Sequence, residues 1–317
     1  MELHVPRLKQ DTAKALSQAA YDPRRLALLH SGVALGASLI LTVVSFVLTR
    51  QVDSTGGLAG IGTRTVLQSV QTVLQLVLTM AMPFWEVGFL FCAISMARGR
   101  QTAPADFTQG FRRFGPFLRL FLLQLAVYLL IGMLAIQVAS MIFMLTPFAE
   151  RMLQIIETLS QDTAFIQTGM PSEALMEEMM QAAVPIYIIL GIVFLVVAIP
   201  VFYRLRLSRY ILLEEDHPGA LAAMVRSSRY MRGSCVAFLK LDLSFWWYYL
   251  LQGLCGVIAY ADVLLPALGI GSPFAGDVAF FLFYGVYVAA NLVLAWRVRS
   301  SVETTYAMAY DSLLRSA

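Results

Sequence analysis

The sequence predicts an all-α, polytopic membrane protein: six transmembrane helices arranged as three hairpins, with amphipathic helices on the inner surface. Three observations predict it. The first is composition. Of 317 residues, 59% are hydrophobic and 14% charged, whereas a soluble domain is about half apolar and about a quarter charged. The second is a set of six long apolar runs, roughly Leu28–Thr49, Val66–Met96, Pro116–Phe148, Ala183–Leu205, Leu241–Leu265 and Asp277–Val298. A helical span needs about 20 mostly apolar residues, and lipid offers the backbone no hydrogen bonds, so such runs must be helices. The third is the placing of the bases. Of the 23 Lys and Arg residues, Arg50, Arg64 and Arg151 fall on one side; the other twenty lie at the termini, in the loops after the second and fourth runs, or just inside the adjoining span ends. That asymmetry puts both termini in the cytoplasm. The spans leave no room for a large extramembrane domain, so residues 1–317 read as a single integral membrane domain.

The leader, Met1 to Ser31, is polar and basic. Asp11 and Thr12 are helix-start candidates, Leu16 and Ala20 fall one turn apart, and Pro23 ends the pattern. A short helix lying on the inner surface is expected. The run from Leu28 reads as a retained first span rather than a signal peptide. The glycine-rich stretch DSTGGLAGIGT, Asp53 to Thr63, closes the first hairpin as a turn or tightly packed cap.

The second run carries Pro83-Phe84-Trp85-Glu86 in its cytoplasmic half. Pro83 should bend the helix and free a carbonyl. An ionisable side chain at depth is costly, and by default it suggests function. Glu86 therefore heads a candidate intramembrane polar site together with Arg119, Lys240 and Asp242. The alternative is a structural ion pair of Glu86 with Arg119 or Lys240, or a carboxylate close enough to the interface to stay wet.

In the loop that follows, Pro104 and Asp106 can start a helix. Phe107, Phe111 and Phe114 then line one side, with Arg112 and Arg113 on another. Such a helix suits the inner interface, its arginines facing anionic headgroups. The same design returns at Ala220–Arg232. There Asp216 can cap, Pro218 can occupy the first turn, Leu221, Met224, Val225 and Met231 form an apolar stripe, and Arg226, Arg229 and Arg232 the polar side. Gly233 breaks this helix before the next apolar run, as Gly115 follows Arg112 and Arg113 upstream. A fainter copy runs from Asp11 through Arg24 and Arg25 into Leu28. The chain thus reads as one unit (surface helix, break, span) used three times. Arg112, Arg113, Arg226, Arg229 and Arg232 are either positive-inside anchors or a docking surface for lipid or a protein partner.

The external segment Pro147–Ala182 is acidic, with Arg151 as its single base. Met152, Ile155, Ile156 and Leu159, then Leu175 and Met179, recur at helical spacing, so the third and fourth spans should continue outward as a helical hairpin. Phe245 to Tyr249 place an aromatic belt at the inner end of the fifth run. After Arg297 and Arg299, which mark the inner boundary, Val302, Tyr306, Ala309, Tyr310 and Leu313 predict an amphipathic helix packed beneath the bundle.

Chemical motifs are missing from the sequence. No Walker loop, GxGxxG, HExxH or GxSxG occurs. Cys92, Cys235 and Cys255 lie in or beside apolar runs without CxxC pairing, and His4, His30 and His217 are scattered. Neither a metal nor another cofactor is expected, nor an enzyme. The basic residues track a membrane face rather than a groove, which argues against nucleic acid.

Three stretches carry a resemblance: Ala97–Leu123, Tyr210–Trp247 with its Ser228, Arg229, Met231 and Gly233 core, and Ser300–Leu314. Together they resemble an uncharacterised family of bacterial multi-pass membrane proteins, known mainly as a domain of unknown function. The stretch from Ala261 to Gly276 departs from that pattern as a longer insert. The resemblance implies a bacterial inner-membrane location and transfers no activity or functional residues. The expected function is an accessory or regulatory membrane component acting through membrane lipid and another membrane or cytoplasmic protein. The alternative is a small transporter or lipid-handling permease that uses an intramembrane carboxylate.

Overall fold

The computed structural model describes residues 4–54, 58–161, 172–214, 219–261, 264–265 and 276–315. Those residues are helical, with no strand among them. Five helical segments are long and apolar enough to cross a membrane: Pro23–Val47, Thr65–Ala97, Phe114–Met144, Leu175–Leu213 and Val278–Leu314. The fifth apolar run is divided. Its helix stops at Leu243, and after Ser244 and Phe245 a second helix of 14 residues runs from Trp246 to Ala259. The expected turn from Asp53 to Thr63 is helical where described, Asp53 and Ser54 ending one long helix and Leu58 to Thr63 beginning the next; residues 55–57, the Asp216 and Pro218 cap, and most of the insert from Ala261 to Gly276 lie outside the described residues.

The chain forms two compact units: residues Met1–Phe117, Arg209–Gly219 and Gly233–Ala317 make the first, and Leu118–Ser208 and Ala220–Arg232 the second. The first is built around α3 (Leu58–Ala97). The most apolar window of that span is 44% buried, against 6–17% for the other four. α2 (Pro23–Ser54) packs along it. Leu26, Ala27, Phe89, Cys92, Met96 and Phe107 form a core cluster at its C-terminal end.

α3 ends by a backbone device that the sequence encodes in one residue. Gly99 adopts a positive φ of 67°, open to glycine without Cβ strain. The Gly99 amide then reaches Met96 O and the Arg100 amide reaches Ser95 O at 2.8 Å, the paired bonds of a Schellman cap.

The segment after this cap differs from the expected amphipathic helix. It is a 3₁₀ turn, Pro104–Thr108, followed by one turn of helix, α4 (Gln109–Arg112). Its aromatic stripe divides: Phe107 is 1% exposed, whereas Phe111 and Phe114 are 43% and 48% exposed. The reason is a pair of glycines that let two backbones meet. A Cβ on Gly88 would fall on the Phe107 carbonyl, and a Cβ on Gly110 would fall on the Phe84 carbonyl. The loop therefore seats against α3 instead of lying apart from it. The break before α5 (Phe114–Met144) falls at Arg113, and Gly115 sits inside the helix. Gly233, by contrast, has φ 85° and does break the chain, so the repeated design survives in sequence more fully than in conformation.

In the second unit, α6 (Pro147–Gln161) packs on the start of α7 (Glu173–Leu205), with Ile155, Leu175 and Ala182 buried between them and Met152, Leu159 and Met179 alongside. The packing of these two helices follows the spacing of Met152, Ile155, Leu159, Leu175 and Met179. Arg151 is paired with Glu178 at 3.7 Å; with both side chains about half exposed, such a pair contributes at most about 1 kcal/mol. α8 (Ser208–Leu213) follows α7 in the chain. α9 (Ala220–Tyr230) buries Ala220, Ala223, Met224 and Ser227, one helical face, and the Ser227 hydroxyl donates to Arg204 O at 2.7 Å.

The first unit closes with α10 (Cys235–Leu243), α11 (Trp246–Ala259), α12 (Gly276–Leu294), a π-helical turn (Ala295–Arg299) and α13 (Ser300–Leu314). All five stripe residues of α13, Val302, Tyr306, Ala309, Tyr310 and Leu313, are buried. α1 (Val5–Ser17) packs against α13. Thr305 donates to the buried Thr12 hydroxyl at 3.1 Å, and Thr12 donates to Leu8 O. Lys9 donates to Ser244 O at 2.9 Å and lies 4.2 Å over the Phe245 ring. Partial burial there pushes the Lys9 ammonium below its ordinary range. The leader helix is thus a packed element whose lysine caps the end of α10.

Candidate functional site

Glu86 lies on α3 and, at 3.6 residues per turn, shares a face with Phe89. Its partner is Arg299, the last residue of the π-helical turn. One guanidinium nitrogen, Nη2, donates to both Glu86 oxygens at 2.8 and 2.9 Å, while Nη1 donates to the Ser31 hydroxyl at 3.0 Å. The Arg299 guanidinium also lies 5.3 Å from the Phe89 ring centroid. His30 is fully buried, stacked on Trp85 and Phe89, with Nε2 3.9 Å from Glu86 Oε1. The Trp85 indole N–H donates to His30 O at 3.0 Å, fixing α2 to α3 beside the pair. Both His30 ring nitrogens lack a hydrogen-bond partner. Such orphaned buried groups are uncommon and mark a place worth explaining.

Arg299 also faces a cavity of about 150 Å³ between α2, α11 and α12. Its polar lining is Ser31, Tyr248, Gln252, Tyr287, Asn291 and Arg299. The π turn is what brings Arg299 here: the extra residue per turn shifts the register between α12 and α13, and such bulges recur at functional sites. Asn291 is oriented by its own helix, its amide donating to Tyr287 O at 2.9 Å.

The four residues expected to form one polar site are distributed differently. Glu86 is held by Arg299, with His30 Nε2 3.9 Å away, and not by Arg119 or Lys240. Asp242 accepts a hydrogen bond from the Tyr306 hydroxyl, which is in turn 2.7 Å from the Tyr249 hydroxyl. Lys240 is exposed in the last turn of α10, and Arg119 is exposed on α5 in the second unit. Among the surface arginines, Arg112, Arg226, Arg229 and Arg232 are exposed, whereas Arg113 is half-buried and donates to Leu213 O at 3.1 Å. Sequence reasoning passed over Arg299 because its position at a span end explained it already. Gln252 and Asn291, uncharged amides inside apolar runs, were the available signal.

A second polar cluster is fully partnered. Arg98 binds Asp311 through Nε and Nη2, the latter at 2.6 Å, and Glu214 through Nη2 at 2.6 Å. Hydrogen bonds that Arg98 donates to Asp311, and then to Glu214, hold its guanidinium above its usual range. This triad ties the end of α3, the chain after α8 and the end of α13 together. Among the described residues, no group of three or more His, Cys, Asp or Glu side chains converges as a metal site would require.

Comparison with known proteins assigns the family. The profile of the family described as "Protein of unknown function (DUF975)" matches residues 28–312. No curated protein matches the chain, and no solved structure does. The chain belongs to the DUF975 family.

Proposed function

From that membership and this geometry, we propose that the protein is a non-enzymatic, multi-pass bacterial inner-membrane protein that binds a small polar solute or a lipid headgroup in its inner half. This is the permease or lipid-handling reading. The observation that carries it is the continuity between the Glu86–Arg299 pair and the polar cavity lined by Ser31, Gln252 and Asn291. Desolvation largely offsets the attraction of a fully buried ion pair, so a pair within an apolar bundle is held best where a polar space adjoins it. Here the Glu86 side chain keeps 43% of its accessible surface. Cavities lined by a few convergent polar groups between helices are where such ligands bind.

The proposed topology has six crossings, with α10 and α11 together making the fifth, and both termini cytoplasmic. Support comes from the twenty-to-three partition of the bases. Reporter fusions at the two termini and near Leu145 check it: both termini should report one face and Leu145 the other.

The accessory reading keeps one observation in its favour. Arg226, Arg229 and Arg232 all project from the second unit with exposed side chains, as a docking surface would. Mass spectrometry of the full chain purified in mild detergent separates the two. The permease reading expects a retained lipid or solute that is lost in Ala34→Phe, which fills the cavity. A stoichiometric protein partner lost on reversing Arg226, Arg229 and Arg232, with nothing in the cavity, would replace that reading with the accessory one.

A further inference from the structure

We infer that the cavity ligand carries an oxyanion, a phosphate or carboxylate group, and that Glu86 is the internal stand-in that this group displaces from Arg299. The inference rests on the cavity reading above and names the ligand's chemistry.

The lining decides the sign. Arg299 is its charged member, and the described residues that line the cavity include no carboxylate. Ser31, Tyr248 and Tyr287 bring hydroxyls, and Gln252 and Asn291 bring amide N–H groups. A set so rich in donors suits a group with several acceptor oxygens and no proton to give. A cation would meet Arg299 across a described lining that offers it no carboxylate, Glu86 being engaged by the guanidinium, and an apolar group would leave the hydroxyls and amides of the lining unpaired, which is unfavourable.

The competition follows from how Arg299 spends its donors. A guanidinium has five N–H groups in a fixed fork and favours two-point contact with a carboxylate or phosphate. Glu86 takes only Nη2, although both of its oxygens are within 2.9 Å of that nitrogen. Nη1 is turned to Ser31, at the cavity wall. The two-point geometry is therefore left unused by the internal carboxylate. Glu86 satisfies the charge of Arg299 when the cavity holds no anion, and it yields that charge to an entering oxyanion. His30, stacked beside the pair with both ring nitrogens unpartnered and Nε2 3.9 Å from Glu86, is placed to accompany the released carboxylate.

The size is consistent with a headgroup. About 150 Å³ is room for one small group and not for a lipid chain, so the source is either a free anion or the head of a lipid whose tails stay outside. Two probes distinguish them: inorganic phosphate, read by thermal stabilisation of the full chain in detergent, and nanodiscs of phosphatidylcholine with and without phosphatidic acid, read by lipid retained through purification.

Glu86→Gln preserves the shape of the side chain and removes the competing charge. It should tighten phosphate or phosphatidic acid binding by about tenfold or more, since one unit charge is removed from the first neighbour of the binding group. Arg299→Lys keeps the charge but loses the fork, and should abolish the gain; its fold is checked by its elution as a single species. Stabilisation by phosphate alone assigns a free anion; retention of phosphatidic acid over phosphatidylcholine assigns a lipid head. Binding of either probe with equal strength in wild type and Glu86→Gln would overturn the displacement idea. A neutral lipid or solute retained by wild type and lost in Ala34→Phe, with no response to either anion, would overturn the oxyanion assignment while leaving the cavity reading in place. An empty cavity in every variant would overturn both.

Discussion

Two glycines of the first unit, Gly88 and Gly110, lie against backbone of a neighbouring segment, and adding one carbon to either should unseat a whole loop. In Gly110→Ala the new Cβ would fall on the Phe84 carbonyl, and in Gly88→Ala on the Phe107 carbonyl. Both obstacles are backbone of helix or turn, so no rotamer change relieves them. An ordinary C···O approach is about 3.3–3.6 Å, so the loop from Pro104 to Arg112 must back away from α3 by roughly 1 Å or more. Over-packing of this kind costs about 1–3 kcal/mol. The retreat also opens a gap around Phe107, which is 1% exposed. A gap of about 0.5–1 Å forfeits roughly a quarter to a half of each contact, or about 1 kcal/mol for a side chain whose burial is worth about 1.5–3 kcal/mol. The alanine returns at most about 1 kcal/mol of helix propensity. The net expectation is a loss of about 2 kcal/mol for each variant, and less than twice that for the double variant, because both act on one interface. Cys92 reports the event, since it is fully buried in the same cluster as Phe107. With Cys235→Ser and Cys255→Ser as background, a thiol-reactive dye followed on heating should label Cys92 roughly 5 °C earlier in Gly110→Ala. Gly32→Ala is the control, because nothing lies within 4 Å of its added Cβ. Labelling of Gly110→Ala at the temperature of the Gly32→Ala control would refute the close backbone approach.

Two other substitutions probe what holds the termini. Arg98→Met removes the guanidinium that Glu214 and Asp311 share, whose side chains are 25% and 15% exposed; a loss of about 2 kcal/mol is expected, and Glu214→Gln with Asp311→Asn added should recover part of it, read by the same Cys92 labelling. Lys9→Met removes the cap on Ser244 O and the contact over Phe245, about 1 kcal/mol together; limited trypsin cleavage at the exposed Lys14 should rise roughly fivefold, and an unchanged rate would show that α1 is held without Lys9.

Much of the fold was legible because lipid imposes simple rules. Runs such as Ala183–Leu205 admit few readings other than a span, and the five buried stripe residues of α13 follow from spacing alone. What escaped was set by contacts between residues far apart in the chain. The seating of Phe107 depends on Gly88 nineteen positions earlier in the sequence, and no local pattern ties a glycine inside a span to the loop it receives. The division of the fifth run at Ser244 was hidden because hydropathy averages over the interruption. The candidate site was half legible. Glu86 stood out as a charge at depth, but Arg299 was accounted for by the positive-inside bias, and a residue with one sufficient explanation invites no second. His30 and Ser31 precede the apolar core of their span and looked like leader.

The way Arg299 is mounted bears on whether its site can act on a ligand or merely hold one. It ends the π turn, so it belongs to α12 on one side and to α13 on the other. α13 is fixed to α1 by Thr12 and Thr305 and to the end of α3 by Arg98 and Asp311. Glu86 sits on α3 itself. Both members of the ion pair are therefore anchored to one packed inner assembly. The remaining lining residues are Ser31 on α2, Tyr248 and Gln252 on α11, and Tyr287 and Asn291 on α12, and α2 also meets α12 through Ser38 with Tyr284 and Phe46 with Phe281. A π turn carries less regular hydrogen bonding than the α-helices it joins. Arg299 is therefore placed from both sides: α13 carries the contacts that fix it to α1 and α3, and α12 carries Tyr287 and Asn291 of the cavity wall.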